Sequence, residues 1–252
     1  MGQSVINLDE HAYLYSMLKC KRFFLKRKNI VLLFAVVVLS GFLLMACSSV
    51  MEQYQSYIAE FRPDLYTVAT PDYSIEVASG YREKDFAIDG VVGDKVDFVI
   101  ITVVPTQGVK DDDEMSYSLK FDDKEYSGNM TKHPFNESFS SEIAQRTFSK
   151  PIVLTLSSKG ETVGEFDMKV SSTDEMIDSN RALDIATTKL KSQISSMTHN
   201  GSLKGEIYLL FVKNPLDTND TVYWYVAFVN TSHNTYALLI DPVTEKVLAQ
   251  HV

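Results

Sequence analysis

Hydrophobic positions change their period several times along this chain. Ile30 to Cys47 (IVLLFAVVVLSGFLLMAC) is apolar throughout, and Lys21, Arg22, Lys26, Arg27 and Lys28 stand just before it. Val50, Tyr54, Tyr57, Ile58 and Phe61 then recur at helical spacing, behind a capping box Ser49-Val50-Met51-Glu52, and Pro63 ends the pattern. This predicts a stalk helix and linker over 48–71. From Asp72 to Val170 the period falls to two. Ile75 and Val77, Tyr117 to Phe121, Ile152 to Leu156 and Phe166 to Val170 alternate with polar neighbours. Val96 to Val104 is almost unbroken, as in a strand buried on both faces. Asp89-Gly90, Gly93-Asp94, Pro105 to Gly108, Asp122-Asp123 and Lys159-Gly160 supply turns between the runs. Roughly seven short strands so spaced predict an antiparallel β-sandwich of immunoglobulin-like form over 72–170.

Residues 171–179 (SSTDEMIDS) are polar and read as a linker. Leu183, Ala186, Leu190, Ile194 and Met197 then share one helical face. Asp178 or Ser179 can cap the start of that helix, and Asn200-Gly201 can end it. Four strand-like runs follow: Glu206 to Val212, Val222 to Val229, Tyr236 to Ile240 and Lys246 to Gln250. Residues 180–252 therefore predict a small α+β unit, one helix covering an antiparallel meander. The expected class is mainly β with α+β: a sandwich followed by a helix-plus-meander domain.

The first apolar run decides the topology. Ile30 to Ala46 holds 17 uncharged residues, short for a bilayer-spanning helix of ~20 and close to the apolar core of a secretory signal. Leu44-Met45-Ala46-Cys47 resembles the lipobox of bacterial lipoproteins, with Met45 where a smaller or β-branched residue is usual. The resemblance implies cleavage before Cys47, diacylation of its thiol, and residence on the extracytoplasmic face of the cell membrane by a lipid anchor. Residues 1–47 would then be a cytoplasmic extension and signal, with Met17 an alternative start. An uncleaved signal anchor fits the same run. Either way the basic cluster stays inside and the rest of the chain crosses.

The C-terminal unit resembles a PepSY domain, in Ala182 to Ala186, in Val222-Tyr223-Trp224-Tyr225-Val226-Ala227-Phe228 and in Tyr236 to Val247. In that family a tryptophan-bearing strand precedes one ending in Asp-x-x-Thr-Gly-x-Val. Here the ending is Asp241-Pro242-Val243-Thr244-Glu245-Lys246-Val247, with Glu245 where the family has a glycine in a turn needing φ > 0. The resemblance implies a domain that binds or inhibits peptidases outside the membrane, and a structural role for Asp241 in capping its own turn.

Charge and chemistry narrow the function. The chain has 24 Lys+Arg and 33 Asp+Glu. Beyond Cys47, 18 basic residues face 31 acidic ones, a net charge of −13, which excludes nucleic acid as the expected partner. Cys20 and Cys47 are the only cysteines, so the exported part folds without disulfides, as suits a bacterial source. Asp111-Asp112-Asp113-Glu114 lacks the alternation of a calcium loop and reads as a solvated turn. His11, His133, His199, His233 and His251 show no metal-ligand spacing, and neither His-Glu-x-x-His nor Gly-x-Ser-x-Gly occurs. No catalytic residue, metal or cofactor is expected. If Trp224 faces the helix, strand alternation turns Tyr223 and Tyr225 outward as a candidate interaction surface. The expectation is a binding lipoprotein that engages a protein or peptide of the envelope, or modulates an envelope peptidase. A structural spacer without a small ligand and an envelope hydrolase are the alternatives.

Overall fold

Among the described residues nine strands hydrogen-bond into one sheet, because the segment that follows the short helix at Val50–Tyr54 is itself a strand. The computed structural model describes residues 49–85, 89–121, 123–144, 151–214 and 221–252. The apolar run 30–47, with Cys47, lies outside the described residues. Helix α1 is Val50–Tyr54, a 3-10 turn follows at Gln55–Tyr57, and β1 is Ile58–Ala69. The stalk helix expected to reach Pro63 is therefore corrected. A bulge explains the misleading spacing. Ile58 pairs with Ile207 and Phe61 with Leu209, with a register shift between Ile58 and Glu60. The extra residue puts two apolar positions three apart on one sheet face, which imitates a helical period. Pro63 falls within a second irregularity, between Phe61 and Asp64, where a missing N–H costs no ladder bond. Opposite it, a Cβ on Gly80 would stand 1.9 Å from the Phe61 carbonyl oxygen, so the close approach of β1 demands glycine there.

The remaining strands are β2 Tyr73–Glu83, β3 Lys95–Pro105, β4 Met115–Phe121, β5 Lys124–Asn129, β6 Thr131–Lys132, β7 Phe139–Ile143, β8 Ile152–Ser158 and β9 Glu161–Met168. After them come α2 Ser179–Lys189, α3 Lys191–Met197, a small hairpin β10 Thr198–His199 and β11 Ser202–Leu203, then β12 Gly205–Lys213, β13 Val222–Asn230, β14 Thr235–Ile240 and β15 Val247–His251. The large sheet runs β15-β14-β13-β12-β1-β2-β3-β7-β6, and a second sheet runs β5-β4-β8-β9. Among the described residues, the β1–β12 pairing is the one parallel pairing in the large sheet. Strands hold 55% of the structure and helix 14%, so the class is mainly β, consistent with a β-sandwich.

Two cores form on this frame. The helices α2 and α3 pack Leu183, Ala186, Leu190 and Ile194 against Ile207, Leu209, Trp224 and Phe228. The second sheet packs Leu119, Leu154 and Leu156 against Val77, Val99 and Ile101. The expected sandwich and the expected helix-plus-meander unit thus share one sheet, joined through β1 and β2. Residues 171–178 carry no helix or strand, as a linker would. They are nonetheless tied down: Ser171 N donates to the Leu65 carbonyl at 2.7 Å and Ile177 N to the Pro242 carbonyl at 2.8 Å. Strand β3 is buried on the face of Val99, Ile101 and Val103; on its other face Phe98 is fully buried, Ile100 and Thr102 are half-buried and Val104 is exposed, so the expected burial on both faces holds at the Phe98 end and is lost toward Val104. Strands β5, β6 and β7 were not legible, since KEYSGN and FSSEI offer few apolar alternations.

Candidate functional site

The strands β12, β13 and β14 place the two tyrosines by simple alternation. Trp224 belongs to the helix core, with its ring 5.0 Å from that of Phe211, and its Nε1 donates to the Ile177 carbonyl at 3.0 Å. Tyr223 and Tyr225 therefore take the other face of β13. Directly opposite cross-strand pairs share a face, so register extends the surface. Tyr225 lies between Leu210 of β12 and Leu239 of β14, and Tyr223 beside Val212. All five are partly exposed. Burial pushes the Tyr225 phenol above its ordinary range. The result is a band of two tyrosines and three aliphatic side chains on the sheet face turned away from the helices.

A polar network borders that band. Glu206 is fully buried on β12. Its Oε1 accepts the backbone N–H groups of Asp89 (2.9 Å) and Gly90 (3.0 Å), and its Oε2 accepts the Tyr208 hydroxyl at 3.1 Å. Burial, followed by the charges of Glu206, Glu60 and Glu83, pushes the Tyr208 phenol well above its usual value. Glu60, paired across β1–β12 with Tyr208, bonds Arg62, whose Nε stands 3.2 Å from its Oε1. Arg82 bonds both carboxylate oxygens of Glu142, at 2.8 and 2.6 Å. The guanidinium carbons of Arg82 and Arg62 lie 5.0 and 5.9 Å from the ring centre of Phe98. Each charge in this row is committed to a neighbour: Arg82 and Glu142 tie β2 to β7, and Glu206 fixes the loop after β2 to β12.

The remaining sequence candidates lie elsewhere. Asp112 of the acidic run pairs with Lys159 at 2.9 Å, and Asp113 accepts the Lys110 N–H at 2.8 Å. A cleft of about 430 Å³ opens beside them, lined by Glu114, Ser116, Asn129, Lys132 and Phe139. Lys132 is already bound to the carbonyls of Lys110 and Asp111, at 2.7 and 2.5 Å. Among the described residues no three His, Cys, Asp or Glu side chains converge to hold a metal ion. No helix among them is long and apolar enough to cross a membrane. Sequence reasoning missed Tyr208, Leu210 and Leu239 as companions of the two tyrosines. The alternation Glu206, Tyr208, Leu210, Val212 was available, but only the register with β13 assigns it a face.

No family model matches the chain, and no curated protein matches it. A solved structure titled "Crystal structure of Br derivative BhCBM56" is similar at 15% identity, over 43% of this chain and 99% of that one, with a TM-score of 0.26. At that TM-score the likeness carries no argument about fold or function.

Proposed function

We propose that this protein is a binding lipoprotein, held by a lipid on Cys47 at the extracytoplasmic face of the cell membrane, whose C-terminal sheet face engages a protein or peptide of the envelope. In this reading 72–170 is an immunoglobulin-like sandwich and 180–252 a PepSY-like domain that binds or modulates an envelope peptidase. The observation that carries it is the band of Tyr223, Tyr225, Leu210, Val212 and Leu239, half-open on a sheet whose other face is filled by helices. Exposed apolar surface gathered into one patch is an interaction site more often than the same residues scattered singly. The Asp241 turn supports the PepSY-like part. Asp241 Oδ1 accepts the N–H groups of Val243 and Thr244, at 2.9 and 3.0 Å, and Glu245 adopts the left-handed conformation at φ 59°.

The test places a photo-crosslinking amino acid at Tyr225 in the full chain, in living cells, with Thr187 on α2 as the control position. A discrete adduct at 225 and none at 187 is expected. Equal labelling at both positions would remove the face from the account. The mass of the mature N-terminus tests the anchor: a diacylglycerol-modified Cys47 is expected, and an unmodified chain retaining residues 1–46 would overturn it. A second reading, a rigid spacer, is favoured by the continuity of the large sheet through β1 and β2. It predicts that crosslinking at 225 yields nothing while the length of the protein matters.

A further inference from the structure

The loop between β6 and β7, His133-Pro134-Phe135-Asn136-Glu137-Ser138, presents the most exposed large hydrophobic side chain among the described residues: Phe135 is 90% accessible. An apolar ring so displayed is normally on a floppy loop. Here the loop is tied. His133 N–H donates to the Ser138 carbonyl at 2.9 Å, and Ser138 N–H donates to that of Asn136 at 2.7 Å. The imidazole Nδ1 of His133 accepts two backbone N–H groups, from Phe135 at 3.2 Å and Asn136 at 3.1 Å. Its ring meets that of Phe135 edge-on, with centroids 6.2 Å apart.

An imidazole accepts at Nδ1 only while that nitrogen keeps its lone pair, with the ring proton on Nε2. Imidazolium carries N–H at both nitrogens and accepts at neither. Taking one proton from water at Nδ1 therefore removes both bonds to the turn, and nothing else in the loop replaces them. We propose that His133 is a proton-operated latch, which holds Phe135 in its displayed position when neutral and releases the turn when protonated. The charged groups around it do not duplicate this role. Lys132 of β6 is bound to the carbonyls of Lys110 and Asp111. The carboxylate of Glu137 lies against the turn at Gly108, where an added Cβ would stand 2.5 Å from its Oε2. No described charge on β7 touches the ring; Glu142 is paired with Arg82. His133 itself is exposed, so protons reach it without unfolding.

The experiment is nitrogen NMR on the full chain in detergent, labelled at histidine and in the backbone, at about pH 7.5 and about pH 5. Comparison with His133→Asn assigns the His133 signals. Near pH 7.5 an acceptor-type Nδ1 is expected, with the Phe135 and Asn136 amides protected from exchange. Near pH 5 their protection factors, corrected for intrinsic rates, should fall by roughly fivefold or more while Trp224 fluorescence stays unchanged. His133→Asn supplies a side-chain oxygen in place of Nδ1 without a proton to gain, and should keep the turn ordered at both values. His133→Ala should lose it at both. An Nδ1–H tautomer near pH 7.5, protection indifferent to pH in the parent chain, or a pH response retained in His133→Asn would each overturn the proposal.

Discussion

The carboxylate of Glu206 on β12 accepts the backbone N–H of Gly90 at 3.0 Å, across 116 positions of chain. Glu206 is fully buried, and its oxygens also hold Asp89 N–H and the Tyr208 hydroxyl. Burying a carboxylate is tolerated only with such bonds. Glu206→Ala should therefore destabilise the protein by about 3 kcal/mol, because two backbone donors and a phenol lose their acceptor. Glu206→Gln keeps an acceptor for the two N–H groups and should cost about 1 kcal/mol. Urea unfolding followed by Trp224 fluorescence measures both. Equal losses for the two variants would mean that the negative charge, not the acceptor geometry, holds the loop.

Tyr208 links the same network to alkaline pH. Burial first, then Glu206, Glu60 and Glu83, raises its folded value above the ordinary phenol. The unfolded chain thus releases this proton at about pH 10 while the folded chain keeps it. The contribution is fully present below that pH and is lost as pH rises toward the folded value. Tyr54, Tyr81 and Tyr225 shift in the same direction, so the parent protein should weaken steadily above pH 10. Tyr208→Phe should flatten part of that slope while losing the bond to Glu206 at neutral pH. Unfolding curves in steps from pH 8 to above pH 10 compare the slopes; a slope unchanged in the variant would assign the alkaline loss to the other tyrosines.

How far the sequence could be read follows the physics of each segment. Strands with clean alternation, such as Tyr117 to Phe121 and Ile152 to Leu156, were legible because period two has no other explanation. Asp178 was legible as a cap, and its side chain does accept the Arg181 N–H at 2.8 Å. Strand β1 was not, although it lies at the middle of the large sheet. Its bulges place Ile58 and Phe61 three apart on one face, and its Pro63 normally argues against a central strand. Which residues accompany Tyr223 and Tyr225 was also hidden. That depends on the β12–β13 register, a long-range fact with no local mark. Glu206 carries no sign in its neighbours that it would be fully buried, since its partners Asp89 and Gly90 are distant in the chain.

The turn from Asp241 to Glu245 tests a point the sequence raised. Glu245 stands at φ 59°, which costs a side-chain-bearing residue about 1 kcal/mol relative to glycine. Its carboxylate bonds Arg181 of α2, at 2.6 and 3.0 Å, an exposed pair that offsets little of that cost. Glu245→Gly should thus raise stability by about 0.5 kcal/mol, after the entropy lost by a glycine is counted. Asp241→Ala should lower it by about 1 kcal/mol through the loss of two N–H bonds. The Thr244 N–H bond, then that of Val243, holds the Asp241 carboxyl below its usual range against a small opposing effect of burial. Its contribution is present above the unfolded value of about 3.9 and fades as pH falls through the lower folded value. An acid limb unchanged in Asp241→Ala would remove that assignment.

The assignment of faces on β13 makes the sharpest demand on stability. Trp224 is 4% exposed, packs on Phe211 and donates to the Ile177 carbonyl. Trp224→Ala should cost about 3–5 kcal/mol, the range for emptying an aromatic site in a packed core. Its neighbours should behave differently. Tyr223 is partly exposed beside Val212, and Tyr223→Ala should cost less than about 1 kcal/mol. Tyr225, flanked on both sides by Leu210 and Leu239, should fall between, at about 1–2 kcal/mol. Equilibrium unfolding by circular dichroism ranks the three, since fluorescence is lost with the tryptophan. Were Tyr223→Ala to match Trp224→Ala, both faces of β13 would be closed core, and no open tyrosine surface would be left for a partner. If the order holds, crosslinking at 225 and stability at 224 read opposite faces of a single strand, and loss of binding in Tyr225→Ala can be separated from loss of fold.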